Sequence, residues 1–170
     1  MKKIILILPF LIFSNNLLAK NLFNKNLKIE NRIGLNLGYS MTDDVQDISG
    51  NINNSSLMYG FNSKTNVYFK NQYSIGMLIN VNFNSNKVSN DLIYDFIPNI
   101  TKHLSRDLDI YVGAGYSLGK VYGSQDDGVS ILGGIEKQFS KIMSISVEYV
   151  YTDFTITPMS KYTTSLNFRF

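Results

Sequence analysis

The chain has no cysteine in 170 residues. Disulfides, thiol nucleophiles and thiolate-ligated metals are therefore excluded. It has a single histidine, His103, so a histidine-clustered metal site is excluded too. After Leu18 no apolar run approaches the ~20 residues that a membrane-spanning helix needs. No basic block is present either. The sequence pI of about 9.0 reflects 16 Lys and Arg against 13 Asp and Glu, a scattered surplus that gives nucleic acid nothing to bind. There is no internal repeat and no low-complexity linker that would mark a second domain.

What is present begins at the amino terminus. Lys2 and Lys3 precede an apolar run, Ile4 to Phe13, and Ser14 to Ala19 ends on a small residue. This pattern reads as a secretory signal peptide, residues 1–19, too short to span hydrocarbon. Its removal takes two lysines from the basic count, leaving residues 20–170 close to neutral. About 150 residues suit one domain. A spanning chain without helices must be a closed barrel, because lipid cannot satisfy open strand edges. Eight strands is the smallest usual barrel.

The clearest single stretch is Tyr162 to Phe170 (YTTSLNFRF). Tyr162, Thr164, Leu166, Phe168 and Phe170 fall on one face; Thr163, Ser165, Asn167 and Arg169 fall on the other. That is the period of a strand with one apolar face. Seven more segments alternate in the same way, beginning near Ile29, Leu57, Tyr73, Asp91, Leu108, Gly128 and Met143. The expected fold is an all-β, eight-stranded antiparallel up-and-down transmembrane barrel. By strand parity Gly34, Gly38, Gly60, Gly76, Gly113, Gly115, Gly119 and Gly134 face inward, where a barrel of about eight strands has little room. The first, third, fifth and seventh connections (Thr42 to Ser56, Asn84 to Asn90, Val121 to Asp127, Thr152 to Lys161) read as roomier and acid-bearing. The others read as short basic turns, which in such barrels are periplasmic. Pro98 cannot donate to a ladder, so the fourth strand is expected to stop early.

YTTSLNFRF resembles the closing strand of bacterial outer-membrane barrels. YVGAGYSLG (Tyr111 to Gly119) and the segment Ile131 to Tyr151 resemble the later hairpins of the small OmpA/OmpX-like family of Gram-negative surface antigens. The resemblance implies an outer-membrane location, contact with membrane lipid, a monomer, and no catalytic residues or cofactor. It also implies that Phe168 and Phe170 form the signal read by the barrel-assembly machinery. An adhesive or antigenic role would then fall to the outer loops, which would meet host or matrix proteins, the first loop foremost.

Parity sends Glu30, Arg32, Lys64, Asp95, Asp109, Glu136, Glu148 and Arg169 into the lumen. Buried charges persist only when paired, so these eight are expected to form a structural ion-pair network. Arg169 is expected to meet Glu30 or Glu148 on the flanking strands. The alternative is a narrow ion-conducting pore. A third reading, an outer-membrane lipid-modifying enzyme, would rest on His103 with Ser105 two residues on. Both sit in a predicted turn beside Lys102 and Arg106, without a third group to orient the pair. The loop acids, Asp126 and Asp127 among them, read as solvated rather than as calcium ligands.

Overall fold

The computed structural model describes residues 28–42, 55–70, 72–85 and 90–170. The predicted signal peptide, the lead-in 20–27 and most of the first outer loop lie outside them. Eight strands run in order: β1 (Lys28–Thr42), β2 (Ser55–Lys70), β3 (Tyr73–Ser85), β4 (Asn90–His103), β5 (Leu108–Val121), β6 (Ser124–Gln138), β7 (Met143–Phe154) and β8 (Met159–Arg169). Each pairs antiparallel with its neighbour in sequence. β8 returns to β1 from Thr42↔Met159 to Arg32↔Arg169, which closes the barrel.

Alternation is the reason these segments are strands, and burial follows it residue by residue. On β1 the even positions Glu30, Arg32, Gly34 and Asn36 are buried, while Ile33, Leu35 and Leu37 are exposed. The exposed face is the apolar one on every strand. Leu37 (61 %), Val112 (66 %) and Val129 (61 %) are among the most open side chains. A belt of this kind far exceeds the apolar patch that a water-soluble monomer tolerates, and it is what a lipid-facing wall requires. The outward charges Lys102, Lys120, Asp127, Lys137 and Asp153 all sit near strand ends. Aromatic pairs, Tyr59 stacked on Phe83 at 5.6 Å and Tyr149 against Tyr162 at 5.0 Å, line the rim on the loop side.

The inward glycines make room for side chains that cross the lumen. At Gly134 an added methyl carbon would lie 2.4 Å from the Tyr111 ring. Tyr111 reaches across the barrel only because that position is bare.

Three expectations are corrected. Pro98 does not end β4, which runs on to His103. Its β3 side stays paired through Met77↔Pro98, and the ladder to β5 lapses only between Phe96↔Tyr116 and Asn99↔Gly113. The missing N–H thus costs pairing on one side and the strand survives. The fifth connection is not roomy: β5 and β6 meet in a two-residue turn, Tyr122 (φ 52°) and Gly123 (φ 81°). Left-handed backbone at both positions matches the twist of a tight hairpin. The seventh connection shrinks to 155–158, since β7 reaches Phe154 and β8 begins at Met159. Among the outer connections only the first, 43–54, is long. In outer-membrane barrels the end with the long connection faces outward and the end with short turns, here 71–72, 104–107 and 139–142, faces the periplasm.

Candidate functional site

The lumen is filled from the turn end upward. At the turn end Arg32 is the hub. Its Nε donates to Glu30 at 2.7 Å, and its guanidinium also contacts Glu136 and lies 3.6 Å from Asp109. Lys64 Nζ is 3.3 Å from Glu136 and 3.3 Å from the centre of the Tyr111 ring. Arg169 reaches Glu30 at 3.0 Å and donates to Gln138 at 3.0 Å. Register explains the meeting: Arg32 faces Lys64 across β1–β2 and Arg169 across β1–β8, while Asp109 faces Glu136 across β5–β6.

Above this layer Leu78, Ile97, Tyr111, Leu132 and Val150 form an apolar cluster, each less than 5 % exposed. The Tyr111 hydroxyl donates to Glu148 at 2.7 Å. Glu148 is thereby engaged away from Arg169, and of its two sequence-suggested partners Arg169 takes Glu30. The opposite wall is an amide ladder. Asn62 donates to Asn36 (2.7 Å) and Asn167 (3.0 Å), and Ser165 donates to Asn36 at 2.8 Å. Higher still, Asp95 pairs with Lys161, both fully buried, and accepts from Ser117. A second apolar cluster of Ile93, Val121, Phe154 and Met159 caps the loop end.

Lys161 is an inward cation that the strand boundaries read from sequence do not mark, because it closes the segment that reads as the last loop. Carrying the alternation of β8 two residues upstream from inward Thr163 would have found it. His103 also differs from expectation. Ser105 turns away and donates to Asp107 at 2.6 Å. His103 Nδ1 lies 2.7 Å from Asp109, its Nε2 lies 3.2 Å from Ser74 Oγ, and its ring stacks on Tyr68 at 4.7 Å. With Nδ1 donating to the carboxylate, a neutral ring accepts from the serine. The order Ser–His–Asp is that of a hydrolytic relay. Ser74, however, is fully buried in a strand paired on both sides, so neither substrate nor oxyanion has a place there. The three side chains tie β3, β4 and β5 together.

At the loop end two acids, Asp91 and Asp126, are latches rather than solvated groups, whereas Asp127 and Asp153 are exposed as expected. Asp91, 3 % exposed, accepts from the backbone N–H groups of Tyr122 and Gly123 at 3.0 Å each. Asp126, 9 % exposed, accepts from the N–H groups of Asp127, Thr155 and Ile156 at 2.8, 3.2 and 2.7 Å. The Tyr122 hydroxyl meets Thr42 Oγ1 at 2.6 Å, where the long connection leaves β1. Turns between separate hairpins are in this way pinned to one another.

No protein-family model matches the chain, and no curated protein matches it in sequence. Solved structures do. Ail, the attachment invasion locus protein of Yersinia pestis, superposes with a TM-score of 0.61 at 15 % identity, over 84 % of this chain and 97 % of that one. Ail in complex with the heparin analogue sucrose octasulfate gives 0.59 at 15 % identity, over 83 % and 99 %. Neisserial surface protein A gives 0.55 at 11 % identity, over 86 % and 100 %. The chain shares the fold of these small eight-stranded outer-membrane barrels, and its apolar belt fits it to a lipid bilayer.

Proposed function

We propose that this barrel is a non-catalytic, non-conducting surface protein that contacts host or environmental macromolecules through its loop end. The observation that carries the reading is the filled lumen. Transport needs a continuous wet path and catalysis needs an open pocket. Two apolar clusters and the buried Asp95–Lys161 pair lie across the route instead. What remains accessible for recognition is the outer edge, where the latches of Asp91 and Asp126 hold the turns still around the connection 43–54. A rigid scaffold presenting a variable loop is the usual arrangement for binding. The likeness to Ail and to Neisserial surface protein A is in keeping with a surface role, though fold alone does not fix function.

The charge of this edge bears on its partner. Asp127 and Asp153 are exposed at the loop end and the first connection adds Asp43, Asp44 and Asp47 in sequence, whereas Asp91 and Asp126 are turned inward as latches. A neutral or cationic protein surface matches these acids better than a polyanion such as the sulfated sugar bound to Ail. The test is to replace 43–54 by a four-residue turn in intact cells. Heat-modifiable migration on gels should persist, because the ladder is untouched, while binding to host cells or matrix should fall. Unchanged binding after 155–158 is altered as well would leave a purely structural role. Steady conductance in planar bilayers would instead favour the pore.

A further inference from the structure

The turn end carries a feature that the filled lumen and the loop-end reading do not use. A cleft of about 290 Å³ opens beside the closing strand, lined by Lys28, Ile29, Glu30, Lys141, Ile142, Arg169 and Phe170. It straddles the seam of the barrel. Lys28 and Ile29 come from β1, Lys141 and Ile142 from the β6–β7 turn, and Arg169 and Phe170 from the end of β8. Backbone hydrogen bonds fix its walls: Arg169 N–H donates to Ile142 at 2.9 Å, and Phe170 N–H donates to Asn31 at 3.2 Å.

Its chemistry is divided. Ile142 (60 %) and Phe170 (64 %) are open and apolar. Lys28 and Lys141 are exposed cations; Lys28 rests over the Tyr68 ring at 4.7 Å. Glu30 is the one acidic side chain of the lining, and Arg32 and Arg169 already hold it. The surroundings repeat the pairing of grease with positive charge. Leu104 (49 % exposed) stands between Lys102 and Arg106, and Phe139 (54 %) is followed by Lys141. The acids of this end are already engaged, Asp107 with Lys137 and Glu30, Asp109 and Glu136 with cations of the lumen, while the exposed acids Asp127 and Asp153 lie at the other end. By the placement of its short turns, this end lies at the periplasmic leaflet of the membrane.

We infer that this cleft binds the phosphate headgroup of an anionic phospholipid from that leaflet. Lys28 and Lys141 grip the phosphate from two sides of the seam, with Ile29, Ile142 and Phe170 against the upper acyl chains. Cations beside a membrane surface attract anionic headgroups, and a pocket with apolar walls and a few placed charges is what gives such attraction a fixed site.

The test is native mass spectrometry of the folded full barrel, released from micelles holding equal phosphatidylglycerol and phosphatidylcholine. The wild type should retain one phosphatidylglycerol in preference. K28Q/K141Q should lose that preference by about fivefold for each lysine removed, while K120Q near the loop end should keep it. Equal retention by K28Q/K141Q, or equal loss in K120Q, would overturn the site. Competition by glycerol 3-phosphate at the same concentration as the lipid would overturn the lipid as ligand. Each variant is first checked for heat-modifiable migration. Should the double variant not fold, K141Q alone, on an exposed turn, carries the comparison with a fivefold expectation.

Discussion

The two halves of the lumen solve one problem differently. The turn-end half gathers three cations, Arg32, Lys64 and Arg169, against three carboxylates, Glu30, Asp109 and Glu136, with Arg32 touching all three acids. Among the described residues the loop-end half holds one ion pair, Lys161–Asp95, beneath an apolar cap. A shared network that loses its hub weakens several charges at once, each left with a single remaining ion-pair partner. A lone pair can be replaced whole by apolar groups, because its desolvation cost roughly cancels its attraction. The comparison teaches that the number of partners, more than the number of charges, sets what a substitution does.

The sharpest break is Arg32→Met, which removes the cation that Glu30, Glu136 and Asp109 share and leaves them only Arg169, Lys64 and His103 respectively as ion-pair partners. A loss at the upper end of about 3–5 kcal/mol is expected, read from urea unfolding in phospholipid vesicles. A loss below about 1 kcal/mol would mean that water already screens the layer. At the loop end Lys161→Met alone should cost about 3 kcal/mol, by stranding Asp95. Lys161→Met with Asp95→Leu should recover most of that. If the two single losses simply added, Lys161 and Asp95 would be uncoupled, and Ser117 and Asn82, which also donate to Asp95, would hold the carboxylate without the lysine.

Arg169 tests how far exposure weakens the turn-end network. Its side chain is 29 % exposed and has Gln138 as a second partner, so Arg169→Ala should cost about 1 kcal/mol or less. A loss as large as that of Arg32→Met would put Arg169 at the centre of the layer instead. The smallest effect belongs to Asp107, outside the barrel wall in the β4–β5 turn. The Lys137 ammonium and the Ser105 hydroxyl hold its carboxyl below the usual carboxylate range. A depressed folded-state pKa contributes stability above the unfolded value, and that contribution fades as pH falls through the folded one. Asp107→Asn should therefore flatten the acid side of the stability profile slightly and change nothing at neutral pH beyond a lost surface contact. An unchanged acid limb would show the pair to be inert.

Much of this architecture was legible because a strand has a period of two. Parity sorted Leu35 from Asn36 and Val112 from Tyr111 without any knowledge of neighbours. It failed where a strand's end depended on a partner. β7 extends to Phe154 because Phe154 pairs with Gly128, and β8 starts at Met159 because Met159 pairs with Thr152, which no local signal announces. Lys161 was lost with that boundary. Pro98 was over-read for a related reason: its missing N–H matters on one edge only, and which edge is a fact of register.

The sequence by itself determined the eight segments, the face each turns to lipid and the inward charges of the strand interiors, since these follow from alternation and from the cost of polar groups in hydrocarbon. It did not determine Asp91, Asp126 and Lys161, buried near strand ends. Tertiary structure decided who meets whom. Strand order and register brought Arg32 to Glu136 from β6, set Tyr111 over the bare Gly134, and joined His103 to Ser74 rather than to Ser105. Side chains from five or six strands converge in one lumen layer, and the stagger that closes the ring fixes which of them share it.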